Sequence, residues 1–257
     1  MCGREARSAR RACSRVGSTQ ARCHCRAKQY CGRAASVATK TIPIVMADGD
    51  DPVAGGLVAS LARPGRNITG LTNFTTDLGT KRLELLKEIV PRLTRVALLP
   101  SPAERGPAVH ELEAAALSLQ IKLHTMEVRV ADDLERAFHG AANARAGALA
   151  VMADPTGLFV ANRKQILEIV VKNRLPAIYP FNTWVNAGGL MSYAADQFES
   201  YRRAATYVDK ILKGAKPADL PIERPMKFEF VINLKATKQI GLTIPPNVLA
   251  RADRVIR

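Results

Sequence analysis

After the first 40 residues, short apolar runs alternate with longer amphipathic segments, and this alternation restricts the fold more than any other feature. The runs at 41–46, 95–99 and 147–152 are typical of strands that are buried on both faces. The segments between them, such as 77–90, place apolar residues at helical spacing. Helices between short strands imply parallel sheets with right-handed crossovers. The sequence therefore predicts an α/β fold.

The first 40 residues have a different composition from the rest of the chain. They carry ten Lys or Arg against one acid, and they contain all the cysteines: Cys2, Cys13, Cys23, Cys25 and Cys31. A zinc site and a disulfide cap are two interpretations, but the spacing contains no CxxC pair and five cysteines cannot all pair. Few large apolar side chains are present to form a core. We therefore favour a third interpretation, in which residues 1–35 are a disordered basic head with no designed function.

Charge and hydropathy argue against two other classes of protein. The formal net charge is +15, but most of the excess lies in the head, and the remaining charges alternate in sign along predicted helices. Such alternation is typical of solvated surfaces, so we expect no specific binding of nucleic acid. There is no apolar run of about 18 residues that would indicate a transmembrane helix. There is also no apolar core of roughly 7–15 residues that would indicate an export signal.

The body of the chain, residues 36–257, lacks the signatures of catalysis. It contains no GxSxG elbow, no GxxxxGK[ST] loop, no HExxH helix and no cysteine. Its histidines, His110, His124 and His139, have no Ser–carboxylate partnership in the sequence, and we interpret them as surface or core residues. We predict that the chain is not an enzyme and holds no cofactor.

Polar residues follow several predicted strands at their carboxyl ends, where open α/β sheets form their ligand crevices. Carboxylates can hold an ammonium group, hydroxyls and helix N-termini can hold a carboxylate, and aromatic rings can cover an apolar portion. The set suits a small amino-acid-like solute. The competing interpretation of each Asp is a helix N-cap or a turn residue. The residues are Asp48, Asp50, Asp51, Asp154, Thr156, Phe181, Asn182, Trp184 and Asp196.

A series of short motifs runs through the body. They are Asp51-Pro52-Val53, Arg63-Pro64-Gly65, Asn67-Ile68-Thr69-Gly70, Lys81-Arg82-Leu83-Glu84, Gly188-Gly189-Leu190-Met191-Ser192-Tyr193, Ile211-Leu212-Lys213-Gly214, Val231-Ile232-Asn233-Leu234 and Gly241-Leu242-Thr243-Ile244-Pro245-Pro246. Through them, residues 36–257 resemble the ABC-transporter substrate-binding proteins of the tryptophan/tyrosine-uptake type. No single motif would be enough to indicate this family, but the motifs taken together are specific to it.

This resemblance implies two Rossmann-like lobes of periplasmic-binding-protein type that are joined by a hinge. The lobes would close on a small amino-acid-like or organic-acid solute and deliver it to a permease and an ATPase at the inner membrane. The implied protein is a periplasmic monomer. By the family pattern, the loops bearing Asp51, Thr69 and Thr72 face the cleft from one lobe. Asp154, Asn182 and Tyr193 face it from the other lobe or from the hinge.

Two other functions remain open on the sequence. An effector-binding domain of a transcriptional regulator would use a similar two-lobed α/β fold, although the head has no helix-turn-helix pattern. An α/β enzyme is a weaker alternative, because no nucleophile and base are paired. Salt-sensitive DNA binding would favour the regulator.

The chain also departs from the family pattern at its start. Members begin with an export signal and with strand–helix–strand units of lobe one, which have no counterpart here. We therefore expect residues 36–76 to be the remainder of lobe one, 77–189 to be lobe two, and 190–257 to form the hinge crossover and elements that return to lobe one. Arg66 replaces a usual Gly, and Pro100-Ser101-Pro102 replaces an Asn-Pro-rich loop.

The head itself suggests a hypothesis about the gene. We interpret residues 1–35 as a frameshifted or wrongly started reading of the first lobe, which resequencing of the locus would test. As written, the chain lacks an export signal and would stay in the cytoplasm. An incomplete first lobe would leave an unpaired sheet edge near strand 41–46, so we expect lower stability and weak or absent solute binding.

Overall fold

The computed structural model describes residues 28–49, 51–72, 77–101, 107–154 and 156–257. Most of the cysteine-rich head lies outside these ranges, so its metal and disulfide interpretations are not tested. The described residues form two compact units. Unit 1 takes those of Met1–Phe74 and Asp196–Lys227, and unit 2 takes those of Thr75–Ala195 and Phe228–Arg257. The predicted α/β class is confirmed.

The described elements alternate between helix and strand along most of the chain. In order they are α1 (Lys28–Ala38), β1 (Ile44–Gly49), β2 (Ile68–Thr72), α2 (Asp77–Ile89), β3 (Arg95–Leu99), α3 (Pro107–Ser118), β4 (Lys122–Thr125), α4 (Asp133–Asn143), β5 (Ala148–Val151), α5 (Leu158–Ala161), α6 (Arg163–Lys172), β6 (Ala177–Tyr179), α7 (Asn182–Asn186), β7 (Met191–Ala195), α8 (Gln197–Leu212), a 3₁₀ turn (Pro217–Asp219), β8 (Phe228–Asn233), α9 (Leu234–Ile240), α10 (Pro246–Leu249) and β9 (Arg254–Ile256). Helix α1 includes the last eight residues of the predicted head.

Unit 1 contains a two-stranded parallel sheet in which β1 pairs with β2. The two backbones meet closely where Met46 pairs with Gly70, whose φ is +122°. A Cβ atom at that glycine would lie 2.1 Å from the carbonyl oxygen of Met46, so only glycine fits. Beyond β2, the backbone N–H of Glu223 donates to the carbonyl of Gly70. Among the described residues, β1 makes strand pairs on one side only.

Each face of the unit 1 sheet has a small core. On one face Leu71 packs with Ala204 and Tyr207 of α8. Two polar contacts fasten α8 to the chain segment after it: the Tyr207 hydroxyl donates to the carbonyl of Pro221 at 2.7 Å, and Arg203 forms an ion pair with Glu223. The core on the other face consists of Met46, Val58, Ile68 and Ile222.

Unit 2 is built on a seven-stranded sheet in the order β4-β3-β5-β6-β7-β8-β9. All neighbouring strands are parallel except β7 and β8, which are antiparallel. Helices cover both faces of this sheet. Residues that alternate along β3 and β5 point into two different cores, one on each face. One core includes residues of α2, α3, α9 and α10, and the other includes residues of α4, α6 and α7.

The predicted segments are distributed between the two units. The described parts of 36–74 lie in unit 1, and 77–189 lie in unit 2. The segment 190–257 is divided, because β7 and residues 228–257 belong to unit 2 while 196–227 belong to unit 1. In the described ranges, no helix combines the length and the apolar character needed to cross a lipid bilayer.

Candidate functional site

Asp154 follows β5 at the carboxyl edge of the unit 2 sheet, where four donors surround its carboxylate. The Ser101 hydroxyl donates to Oδ1 at 2.9 Å, and Thr156 donates to the same oxygen from its backbone N–H at 3.0 Å and from its hydroxyl at 2.6 Å. The backbone N–H of Phe159 donates to Oδ2 at 2.8 Å. These bonds use most of the acceptor capacity of a carboxylate. Asp154 therefore organises the loop between β5 and α5, as the N-cap and turn interpretation predicts.

Asn182 begins α7 and connects the ends of β6, β7 and β8. Its Oδ1 accepts a hydrogen bond from Ser192 Oγ at 2.7 Å, and its Nδ2 donates to Oε2 of Glu229. Oε1 of Glu229 in turn lies 3.1 Å from Nε of Arg254. A neutral amide has two N–H groups and two lone pairs, and these contacts use one of each. Asn182 is therefore held by two side-chain hydrogen bonds from β7 and β8.

Tyr193 lies on the opposite face of the sheet from Asn182 and its partners. It packs against the core that includes α2 and α3, and its ring stacks on Phe228 with centroids 5.9 Å apart. Ser192, one position earlier in β7, points the other way because side chains alternate along a strand. The two predicted residues thus share an edge of the sheet but not a face.

Arg82 of α2 fixes the backbone beside these residues. Its Nε donates to the carbonyl oxygen of Tyr193 at 2.9 Å, and its Nη2 donates to the carbonyl of Pro180 at 3.3 Å. One guanidinium thereby ties the ends of β6 and β7 together. Sequence reasoning missed this contact, because nothing local marks an arginine on an amphipathic helix as a ligand of carbonyls 98 and 111 residues away.

The three residues predicted in unit 1 are held in backbone contacts of different kinds. Oδ1 of Asp51 accepts from the backbone N–H groups of Val53 and Ala54 at 2.9 and 3.0 Å, which is a turn contact. The Thr69 hydroxyl donates to a carbonyl at 2.7 Å, and this residue is 0% exposed. The Thr72 hydroxyl donates to the carbonyl of Gly49 at 2.9 Å, at the carboxyl ends of β1 and β2. Thr69 and Thr72 are both buried, at 0% and 2% exposed, whereas Asp51 is half-buried.

A further polar contact of unit 1 lies near the end of β1. Nε2 of Gln197, the first residue of α8, donates to Oδ2 of Asp48 at 3.2 Å. Asp48 was among the polar residues noted after the strand, whereas Gln197 was not. The two lie 149 residues apart in sequence, so only the fold brings them together.

Asp196 precedes α8 and caps it. Its Oδ1 accepts from the backbone N–H groups of Phe198 and Glu199, and its Oδ2 lies 3.2 Å from the ammonium of Lys227. Burial acts to raise the pKa of this carboxyl, but the backbone N–H of Glu199 and the charge of Lys227 together hold the pKa below its usual range. Asp196 is therefore ionised at neutral pH in the role of a helix cap.

One surface depression lies apart from these carboxyl edges. A surface depression of about 550 Å³ is lined by Thr94, Glu113, Leu117 and Lys122, among others, and lies at the amino ends of β3 and β4. No group of three or more His, Cys, Asp or Glu residues in the described ranges is placed to hold a metal ion.

Solved structures of similar fold cover most of this chain. A conserved domain protein from Vibrio cholerae is 29% identical, with a TM-score of 0.77, over 87% of this chain and 75% of its own. A Streptococcus pneumoniae ABC domain, solved in complex with L-Trp, is 27% identical, with a TM-score of 0.76, over 88% of this chain and 75% of its own.

The sequence is also similar to a curated relative, the "Tyrosine-binding protein" of Clostridioides difficile strain R20291. The two are 25% identical over 211 residues, which is 82% of this chain. The chain spans 60% of the length of that relative. Finally, a family model described as ABC transporter substrate binding protein matches residues 31–256. With nearly its whole length matched, the chain belongs to the ABC transporter substrate-binding protein family.

Proposed function

We propose that this chain is the solute-binding component of an ABC importer and that its solute is an aromatic amino acid, tryptophan or tyrosine. The observation that carries the proposal is the family match over residues 31–256. The choice of solute is supported by two relatives, one named for tyrosine and one solved with L-Trp. A permease and an ATPase are the proposed partners. The family match does not favour the alternative of a transcriptional regulator.

Polar atoms at the carboxyl ends of the strands support a site for an amino acid. In unit 2, Asn182 has one N–H and one lone pair beyond its described contacts, which suits a carboxylate and an ammonium. The half-buried Tyr193 ring can cover an apolar side chain. In unit 1, we propose that Asp51, Thr69 and Thr72 contribute through the segments that bear them. We propose that Asp154 contributes to the site indirectly, by holding the loop between β5 and α5 in place.

We propose that the solute is bound by hinge closure. The chain passes between its units three times, after Phe74, Ala195 and Lys227. A few residues at such crossings can absorb the change in backbone angles that closure requires. Proteins of this family normally act in the periplasm or outside the cell, and we propose the periplasm for this chain.

A thermal-shift titration with L-Trp and L-Tyr tests the proposal. A ligand at about ten times its Kd stabilises the folded state by about 1.4 kcal/mol, which raises Tm by a few degrees. D-Trp and L-Lys serve as control solutes. If neither L-Trp nor L-Tyr raises Tm at concentrations up to about 10 mM, the proposed solute is wrong.

The same titration on variants tests the site. We expect Asn182→Ala to weaken binding about tenfold, because a positioned hydrogen-bonding amide is lost. Asn186→Ala is the matched control, since Asn186 lies on the same short helix, is exposed and contacts Arg254. Circular dichroism must show that both variants are folded at the assay temperature. Equal affinities of the two folded variants would remove Asn182 from the site.

A further inference from the structure

An apolar stripe runs along one exposed flank of α8 in unit 1. Phe198 and Leu212, at the two ends of the helix, are 86% and 82% exposed. Tyr201, Ala205 and Val208 lie between them and are also exposed. Single exposed apolar side chains are ordinary, but five on one helix at successive steps of three and four residues form a continuous seam. This spacing is the one by which two helices pack along their length.

The direction of the stripe decides what kind of partner it fits. At 100° per residue, the stripe lies about a third of a turn from Ala204 and Tyr207, which face the core of unit 1. The side of α8 that points directly away from that core carries Arg202, Asp209 and Thr206, with Phe198 at its margin. A flat lipid surface would meet these polar side chains first. A second helix lying alongside α8 would instead contact the stripe along its whole length.

The charges beside the stripe favour a second copy of the same helix. Arg202 and Asp209 flank the stripe on the same side, seven residues apart, and their side chains are 78% and 58% exposed. Within one copy, Arg202 pairs with Glu199 at 3.3 Å and Asp209 pairs with Lys213 at 2.9 Å, and both of these exposed pairs can extend to a second copy. A twofold axis that crosses α8 near Ala205 places Arg202 of each copy beside Asp209 of the other. Two parallel copies would not form these pairs, because the other side of the stripe carries Ala204 and Ile211.

We propose that α8 is a dimerisation surface on which two copies of this chain pack antiparallel. Ala205, the smallest side chain of the stripe, lies at the centre and allows close approach of the helices. Phe198 and Tyr201 of one copy then pack near Val208 and Leu212 of the other. A biological interface buries at least about 1,000 Å² in total, and one helix pair of this length is near that limit. The dimer is therefore weak, with a Kd on the order of 10–100 µM, and we expect the monomer to predominate at low concentration.

Sedimentation equilibrium of the full chain, at about 5 to 500 µM and moderate salt, tests the proposal. The apparent mass should rise from 27.9 kDa towards twice that value. Replacing both stripe ends, Phe198→Ser with Leu212→Ser, should weaken association at least about tenfold. Leu117→Ser is the control, because Leu117 is 76% exposed on a helix of unit 2. A monomer at all concentrations overturns the proposal, as does a dimer that the stripe variant leaves intact.

Charge reversal tests the antiparallel arrangement. Arg202→Asp alone and Asp209→Arg alone should each weaken the dimer, because each places like charges together across the axis. The double variant should restore it, because the pairs form again with opposite sign. Failure of the double variant to recover overturns the antiparallel model. Co-sedimentation of the chain with phosphatidylglycerol vesicles, lost in the stripe variant, would mean that lipid covers the stripe and would also overturn the proposal.

Discussion

Asp154 shows how one carboxylate can hold a loop of unit 2 in place. It gathers donors from Ser101, Thr156 and Phe159, and so joins the ends of β3 and β5 to the start of α5. Asp154→Ala should lower the free energy of unfolding of unit 2 by about 1–3 kcal/mol, because these donors lose their acceptor. Urea unfolding followed by the fluorescence of Trp184, the single tryptophan, measures the change.

The control for this prediction is Asp132→Ala. Asp132 is an exposed carboxylate just before α4 and makes no hydrogen bond as a cap. Its replacement should change stability by less than about 0.5 kcal/mol. Similar unfolding midpoints for the two variants would contradict the structural role of Asp154.

At the scale of elements, the pairing of β1 with β2 depends on Gly70. A Cβ there would meet the Met46 backbone at 2.1 Å, and the residue has a φ of +122°. Gly70→Ala should therefore destabilise unit 1 by about 3 kcal/mol or more. Gly56→Ala is a matched control, because Gly56 has a φ of +66° with nothing within 4 Å of an added Cβ, and should cost about 1 kcal/mol. Thermal unfolding followed by circular dichroism compares them, and equal losses would contradict the steric explanation.

The cap of α8 should respond to pH. The folded-state pKa of Asp196 lies below its unfolded value of about 3.9, so its ionised form stabilises the fold above that pH. This contribution is lost as the pH falls through the folded-state pKa. Asp196→Ala should cost about 1 kcal/mol at pH 7, and the difference from the unchanged chain should shrink below about pH 4. Urea midpoints between pH 3 and 7 measure it, and a difference that grows on acidification would contradict the assignment.

At the scale of the whole molecule, the two units differ in the size of their cores. Counted over the described residues alone, the clusters of unit 2 contain 22 and 18 buried residues, whereas those of unit 1 contain four and three. We expect amides of β5 and β6 to exchange hydrogen at least about tenfold more slowly than those of β1. Hydrogen exchange with mass spectrometry measures both. Equal protection of β1 and β5 would contradict this difference in stability.

Much of the fold could be predicted from the sequence, because its signals are local. Apolar runs and helical spacing located β3, β5 and the helix after 77, and the alternation of elements predicted the mostly parallel sheet of unit 2. The motifs between 36 and 257 led to the right family. The sequence left the role of Asp154 open, since an Asp after a strand suits both a turn and a ligand contact.

The contacts that define the candidate site could not be predicted in this way. Asn182 meets Glu229 across 47 residues, and Arg82 reaches the carbonyl of Tyr193 across 111. The burial of Thr69 and Thr72, which are 0% and 2% exposed, also had no local signal. The sequence by itself determined the class, the elements and the family, because these depend on periodicity and on short motifs. Only the tertiary structure decided which side chains share a face, which are buried and which remain open, because burial and hydrogen bonding depend on residues that are distant along the chain.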